Sequence, residues 1–222
     1  MKGVFCTRQA TVDIPGDPRS VLARLEALFP GTRVYCLEQV HSDGIVLAED
    51  LSPGEIPEAD AIISRNMDDI LCVRTADCVP ILAWATDLPM IAAVHAGWRG
   101  LAAGIVEKTV RTMRSLGGKD IRAAIGPCIG PCCYEVRADV VQALGLDLEP
   151  ARNGSFFVDL KAAALRRLAG EGMAEEALEI RALCTRCNAD RFFSFRREGD
   201  HAGRNISVIG GKSWLLQGLQ AG

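Results

Sequence analysis

Apolar residues in this chain gather into short dense runs. Ile70 to Val73, Val79 to Trp84, Met90 to Val94 and Ile121 to Ile125 each read as a strand, with little polar interruption. Arg33 to Val40 reads as a further strand that ends at His41, and Ile206 to Ile209 as the last one. A helical period appears in Leu101, Ile105, Val110, Met113 and Leu116, and Gly117-Gly118 stops it. Val136 to Leu144 and Asp159 to Ala169 are further helices. The segment Asp50 to Asp60, with Pro53, Gly54 and Pro57, is a loop. Strands and helices without strict βαβ alternation place the chain in the α+β class, as mixed β-sheets flanked by helices.

Val79 to Trp84 and Met90 to Val94 are close enough to form an antiparallel hairpin through Ala85-Thr86-Asp87-Leu88-Pro89. A turn centred between Thr86 and Asp87 sets Cys78 directly opposite His95, with Cβ atoms ~5 Å apart on one face. A slip of one residue would destroy that pairing.

The 222 residues are expected to form a single domain over 1–222, with a core that needs no metal or disulfide to hold it. An apolar share of 49% and a mean hydropathy of +0.14 fit a soluble protein. No apolar run approaches the ~18 residues of a membrane helix. Met1 to Arg8 is too short and polar for a signal peptide before Asp13 and Pro15, so a cytoplasmic location is expected. A net charge of −3 argues against a nucleic-acid partner. The 9 cysteines, without an export signal, favour reduced thiols, most of them small buried hydrophobes with a metal ligand among them.

The chain has 3 histidines, His41, His95 and His201. His95 stands where an apolar strand gives way to Gly97-Trp98-Arg99-Gly100, a strand-to-helix junction of the kind that carries chemistry in α/β-type folds. A lone histidine there is more often a hydrogen-bonded core residue. Paired with Cys78 it becomes a zinc-type donor set, and His41 or the competing His201 supplies a third ligand. Three protein ligands leave a tetrahedral position open, as catalytic zinc sites do.

Other residues carry two readings each. Asp77 either points to the far face of the strand or serves as a partner of the ligands and a proton acceptor. Gly97 and Gly100 with Arg99 form either a phosphate site or a tight turn. Arg196-Arg197 and Arg204 either bind phosphate or ribose, or belong to a solvated loop. Cys184-x-x-Cys187 invites a redox or half-zinc-site reading but has no matching second pair, and Cys128, Cys132 and Cys133 receive no role. Gly211-Lys212-Ser213 is not a P-loop, since Ile206 stands where its first glycine belongs, and the cytidine-deaminase signature is absent.

The order of short motifs resembles a known family. Gln39-Val40-His41, Thr75-Ala76-Asp77-Cys78-Val79-Pro80-Ile81, His95-Ala96-Gly97-Trp98-Arg99-Gly100 and Ile125-Gly126-Pro127-Cys128-Ile129-Gly130 come first. Cys133-Tyr134-Glu135-Val136, Cys184-Thr185 and Phe192 to Gly199 follow. From about Gln39 to Gly210 the chain resembles the YfiH/YlmD family, also called the laccase-domain or "polyphenol oxidase" family.

The resemblance implies a cytotoxic-necrotizing-factor-like fold and zinc held by His41, Cys78 and His95. It implies phosphorolysis of purine nucleosides, with adenosine deamination as a companion reaction. Purine nucleosides and phosphate are then the partners, and Asp77 joins the ligands as a catalytic candidate. The family's N-terminal Thr-Arg remains as Thr7-Arg8, but Gln9-Ala10-Thr11-Val12 replaces its glycine-rich turn, and Arg24 stands only near its second arginine. Arg8, Arg99, Arg196 and Arg204 are the substrate-binding candidates.

Three rivals stand beside this reading. A multicopper polyphenol oxidase needs several imidazole-rich sites, beyond what three histidines supply, although copper is an alternative occupant of the same ligands. The others are an editing factor for peptidoglycan precursors and a zinc-stabilised protein without activity. Oligomeric state is not fixed by the sequence.

Overall fold

Strands that are apolar on both sides need cover on both sides, and the architecture supplies it in four layers. The computed structural model describes residues 4–8 and 16–210, so Gln9 to Val12 and Gly211-Lys212-Ser213 lie outside the described residues. In chain order come β1 (Val4–Phe5), α1 (Pro18–Leu28), β2 (Val34–Tyr35), β3 (Ile45–Leu47), β4 (Ala61–Ser64) and β5 (Ile70–Thr75). Next are β6 (Val79–Ala85), β7 (Ile91–Ala96), α2 (Trp98–Ala103), α3 (Ile105–Ser115), β8 (Ile121–Ile125) and β9 (Glu135–Val136). The chain continues with α4 (Ala138–Ala143), β10 (Phe156–Phe157), α5 (Leu160–Gly170), β11 (Leu178–Ile180), α6 (Phe195–Glu198) and β12 (Asn205–Gly210).

A six-stranded sheet runs β11-β8-β6-β7-β4-β3, and a four-stranded sheet runs β1-β12-β5-β2; β9 and β10 form a separate pair. Both large sheets are mixed, with parallel pairs β11–β8, β3–β4 and β2–β5 among antiparallel ones. On β6, Val79, Ile81, Ala83 and Ala85 belong to one core with residues of α2, α3, α4 and α5. Leu82 and Trp84 fall in a second core with Leu71 and Val73 of β5, between the sheets. On β5, Ile70 and Cys72 join Val21, Leu22 and Leu25 of α1 in a third core. The two-residue period of each strand thus feeds different layers, which is why these strands show no polar face in the sequence.

The structure corrects several expected elements. The helix read across Leu101 to Leu116 is two helices, because Gly104 takes a left-handed φ of 87° between α2 and α3. Arg33 to Val40 pairs as a strand only at Val34–Tyr35. Beyond it, Gln39 stands in for the ladder: its Oε1 accepts from Arg74 N–H at 2.8 Å and its Nε2 donates to Arg74 O at 2.7 Å. Val136 pairs with Phe156, so the helix expected from Val136 begins only at Ala138. β1, α1, β3, β4, β9, β10, β11 and α6 are additions to the elements read from the sequence.

The hairpin is antiparallel, but Pro80, not Cys78, lies opposite His95. Ala85 N–H donates to Met90 O at 2.9 Å, which closes a turn over Thr86 to Pro89, while Thr86 N–H is taken by Asp120 O. The turn centre therefore moves one residue along. Such a shift changes partners by two and leaves every side chain on its expected face. No helix among the described residues is long and apolar enough to cross a membrane.

Candidate metal centre and its cleft

Ala76-Asp77-Cys78 carries the chain from β5 in the four-stranded sheet to β6 in the six-stranded one. Cys78 therefore sits at the seam between the sheets, just before β6. Asp77 makes the bend with a left-handed φ of 94°. Its carboxylate accepts from Thr185 Oγ1 at 2.6 Å, Ser194 Oγ at 3.0 Å and Arg196 N–H at 2.7 Å. Asp77 thereby ties the segments around Thr185 and Arg196 to the crossover.

His41, Cys78 and His95 converge, with one ligand atom from each lying within 4.8 Å of the others. Cys78 Sγ is 3.9 Å from His41 Nε2, and the two imidazole rings stand edge to face with centroids 4.8 Å apart. His201 is in an exposed turn and is not part of this group.

Asp60, which the sequence reading missed, organises the cluster. It is fully buried and accepts His95 Nδ1–H at 2.7 Å, so the imidazole offers Nε2 to the cleft side. It also gathers the backbone N–H groups of Val40, His41 and Ser42, at 3.3, 3.0 and 2.6 Å. Three successive N–H groups around one carboxylate form an anion nest, and this holds His41 at its left-handed φ of 60°. Burial opposes the ionised form of Asp60, but hydrogen bonds from His95 and Ser42 outweigh it and keep its pKa below the ordinary value.

The same balance acts on the ligands. Burial alone would raise the Cys78 thiol, yet the His95 charge and the His41 hydrogen bond outweigh it and bring the pKa to about 6. For His95, burial lowers the pKa, while the Cys78 thiolate and Asp60 overcome it and raise the value to about 9. A thiolate faced by two imidazoles is a donor set for a borderline-soft divalent ion.

Gly97 leaves room for this convergence. A Cβ there would lie 3.1 Å from both Cys78 Sγ and His41 Cδ2. With φ at −73°, the backbone itself accepts alanine. Gly97→Ala is therefore expected to weaken metal binding by about 10–100-fold while the fold is kept, as measured by competition with a chromogenic chelator. Unchanged affinity would mean that the ligands meet elsewhere.

A cleft of about 470 Å³ opens over the cluster, within the usual range for small-molecule sites. Arg99, Arg196 and Arg204, three of the substrate-binding candidates, line it with Arg74, Trp98 and Tyr134. Arg99 stacks on Trp98 and Arg196 on Tyr134, at 4.4 and 5.2 Å. Arg8 does not belong there: its guanidinium pairs with Glu198 at 2.7 Å and covers Phe193. Arg24 is exposed on α1, away from the lining. The family phrases Cys184-Thr185 and Phe192 to Arg196 already held the Asp77 contacts, but nothing in their spacing pointed to Asp77.

The Cys184-x-x-Cys187 pair does have partners, contrary to the sequence reading, since Cys132 and Cys133 lie against it. Cys128 is a buried core thiol, pushed up to about 12 by burial.

The family model described as multi-copper polyphenol oxidoreductase laccase matches residues 11–212. The protein named purine nucleoside phosphorylase YlmD of Geobacillus stearothermophilus is 33% identical over 94% of this chain and 85% of its own length. A purine nucleoside phosphorylase of Aquifex aeolicus is 33% identical over 85% of this chain and 88% of its own. The crystal structure of Geobacillus YlmD superposes with a TM-score of 0.80 at 31% identity, covering 88% of this chain and 80% of that one. That of Neisseria meningitidis protein NMB0706 gives 0.76 at 30% identity, covering 96% and 91%.

Proposed function

This chain belongs to the multi-copper polyphenol oxidoreductase laccase family, the YfiH/YlmD group, and from that membership we propose that it is a purine nucleoside phosphorylase with zinc held by His41, Cys78 and His95. The observation that carries the proposal is the convergence of one thiolate and two imidazoles at the base of an arginine-lined cleft. The names of the relatives support the reaction, and the donor set supports the metal.

In this reading phosphate attacks the ribose anomeric carbon as the purine leaves, through an oxocarbenium-like transition state. Bound zinc supplies Lewis acidity toward a substrate oxygen. The chain's own residues do the rest. Arg99, Arg196 and Arg204 give the cleft positive charge for phosphate, with Trp98 and Tyr134 supporting the Arg99 and Arg196 guanidinium groups from beneath. Burial pushes the Tyr134 hydroxyl up to about 12, so it keeps its proton and offers a donor at neutral pH. Asp77 acts as a positioning residue, because its oxygens are engaged by three donors from the segments that wall the cleft. Adenosine deamination is proposed as a companion activity of the same cleft.

Adenosine and inosine turnover with and without phosphate tests the reading. Phosphate-dependent release of adenine and hypoxanthine is expected, and inosine formed from adenosine without phosphate would report the deaminase reaction. Arg99→Ala is expected to raise the KM for phosphate by about 10-fold with a smaller change in kcat. Absence of phosphate dependence would overturn the phosphorylase reading. Two imidazoles and a thiolate also suit copper, so metal analysis of protein purified without added copper decides the occupant.

A further inference from the structure

Cys132, Cys133, Cys184 and Cys187 bring their four sulfurs within 4.8 Å of one another. Cys187 Sγ lies 3.6 Å from Cys132 Sγ and 3.3 Å from Cys133 Sγ. We propose that these four cysteines form a second zinc site, structural and closed, whose ligands are entirely distinct from His41, Cys78 and His95.

The geometry suits a metal better than a disulfide. Four sulfurs at ~2.3 Å from a tetrahedral zinc stand ~3.8 Å apart, and the 3.6 and 3.3 Å separations of Cys187 from Cys132 and Cys133 fall close to that value. A disulfide needs its sulfurs ~2.05 Å apart, and all four thiols are free. Packing accounts for buried Cys128, but it gives no reason for Cys132 and Cys187 to be exposed and yet face each other.

Two tight turns build the site. In the first, Cys133 and Tyr134 N–H groups both donate to Gly130 O at 3.0 Å. In the second, Asn188 returns to Cys184 O through its N–H at 3.2 Å and its Nδ2 at 2.8 Å, which puts Cys184 and Cys187 on one side. Thr185 N–H to Cys128 O, at 3.0 Å, locks the turns together. Gly130 allows the approach: a Cβ on it would lie 3.3 Å from Cys132 Sγ and from Cys184 Cβ.

Donors aimed at sulfur complete the design. Gly130 N–H points to Cys184 Sγ at 3.2 Å and Arg186 Nη1 to Cys133 Sγ at 3.6 Å. Such donors favour thiolate over thiol and offset the charge of a four-thiolate centre. Each thiol releases its proton to solvent as its sulfur binds, so no redox partner is needed. The centre fastens the turn before Tyr134 to the turn carrying Thr185, which in turn holds Asp77. It supports the cleft wall from outside the chemistry.

Zinc per chain, measured by native and elemental mass spectrometry on the full-length protein kept reduced, tests the site. About two zinc ions per chain are expected in the unaltered protein, and about one in the double variant Cys184→Ser/Cys187→Ser. Cys78→Ala should also retain about one, held by the four cysteines. In that variant, Cys132 and Cys187 should resist alkylation until a strong chelator is added, despite their exposure. A Cys78→Ala protein that carries no metal overturns the proposal, and this holds even if the double variant fails to fold. Rapid alkylation of Cys187 with zinc still bound overturns it as well, and iron in place of zinc overturns the choice of metal. Failure of nucleoside turnover would count against the proposed activity alone, because the zinc count does not depend on it.

Discussion

Cys78→Ala is expected to abolish phosphate-dependent nucleoside cleavage, by more than about 100-fold, with the fold intact. Cys78 is the anionic ligand of the three, and removing it leaves two neutral imidazole donors and no ligand charge. A site with that balance keeps little affinity for a divalent ion. The fold does not depend on the thiol, because Cys78 is half-buried at the mouth of the seam while β6 and β7 are buried along their whole length. A chain of 222 residues also has a core that stands without one metal. Circular dichroism, zinc content and adenine release on one preparation settle the matter. A variant that unfolds while its folded fraction keeps full specific activity would make Cys78 a structural residue.

The second large effect is expected at Asp60. Asp60→Ala would strip partners from three backbone N–H groups and from His95 Nδ1 at once, in a buried place. Loss of a buried charged partner costs about 3–5 kcal/mol, enough to unfold a marginal domain. Asp60→Asn is the more informative change. It keeps the shape but directs an amide N–H₂ toward donors, so His41 leaves its left-handed conformation and His95 loses its fixed tautomer. Metal affinity is expected to fall by about 10–100-fold, with a lower melting temperature that added zinc partly restores. Chelator competition and thermal unfolding with and without zinc measure both. An Asn variant that binds metal as the parent does would show that the nest and the tautomer are irrelevant to the centre.

The candidate ligands were legible because each stands at the end of an apolar run, where a strand must stop and a polar side chain is unexpected. Cys78 before Val79 and His95 after Val94 mark both ends of the same hairpin, so a register error of two positions left them on one face. His41 was reached through the resemblance and through a strand that proved to be two residues long. What ended that strand is a side-chain substitute, Gln39 against Arg74, and no spacing rule reveals it.

Asp60 was illegible for a different reason. It closes a loop rich in Pro and Gly, and an aspartate there reads as solvated. Only the tertiary fold shows that the entry to β4 places it against His95. The four-cysteine cluster was hidden in the same way. An adjacent pair and a CxxC are separated by 50 residues of unrelated elements, and the bridge between Cys128 and Cys184 that joins them is a tertiary contact. The Gly104 break was readable from the glycine, but the helical period on both sides concealed it. Arg8 and Arg204 were both substrate-binding candidates, and only the fold shows that Arg8 turns to Glu198 and Phe193 while Arg204 lines the cleft.

The crossover that places Cys78 at the seam has a consequence for assembly. His41 follows a strand of one sheet, His95 ends a strand of the other, and Cys78 belongs to the segment between. Cys78 and His95 come together through one local hairpin, but His41 reaches them only across the seam. The three-ligand set is therefore complete only once the two sheets have closed on each other, and separating the layers would remove His41 from the centre before the other two.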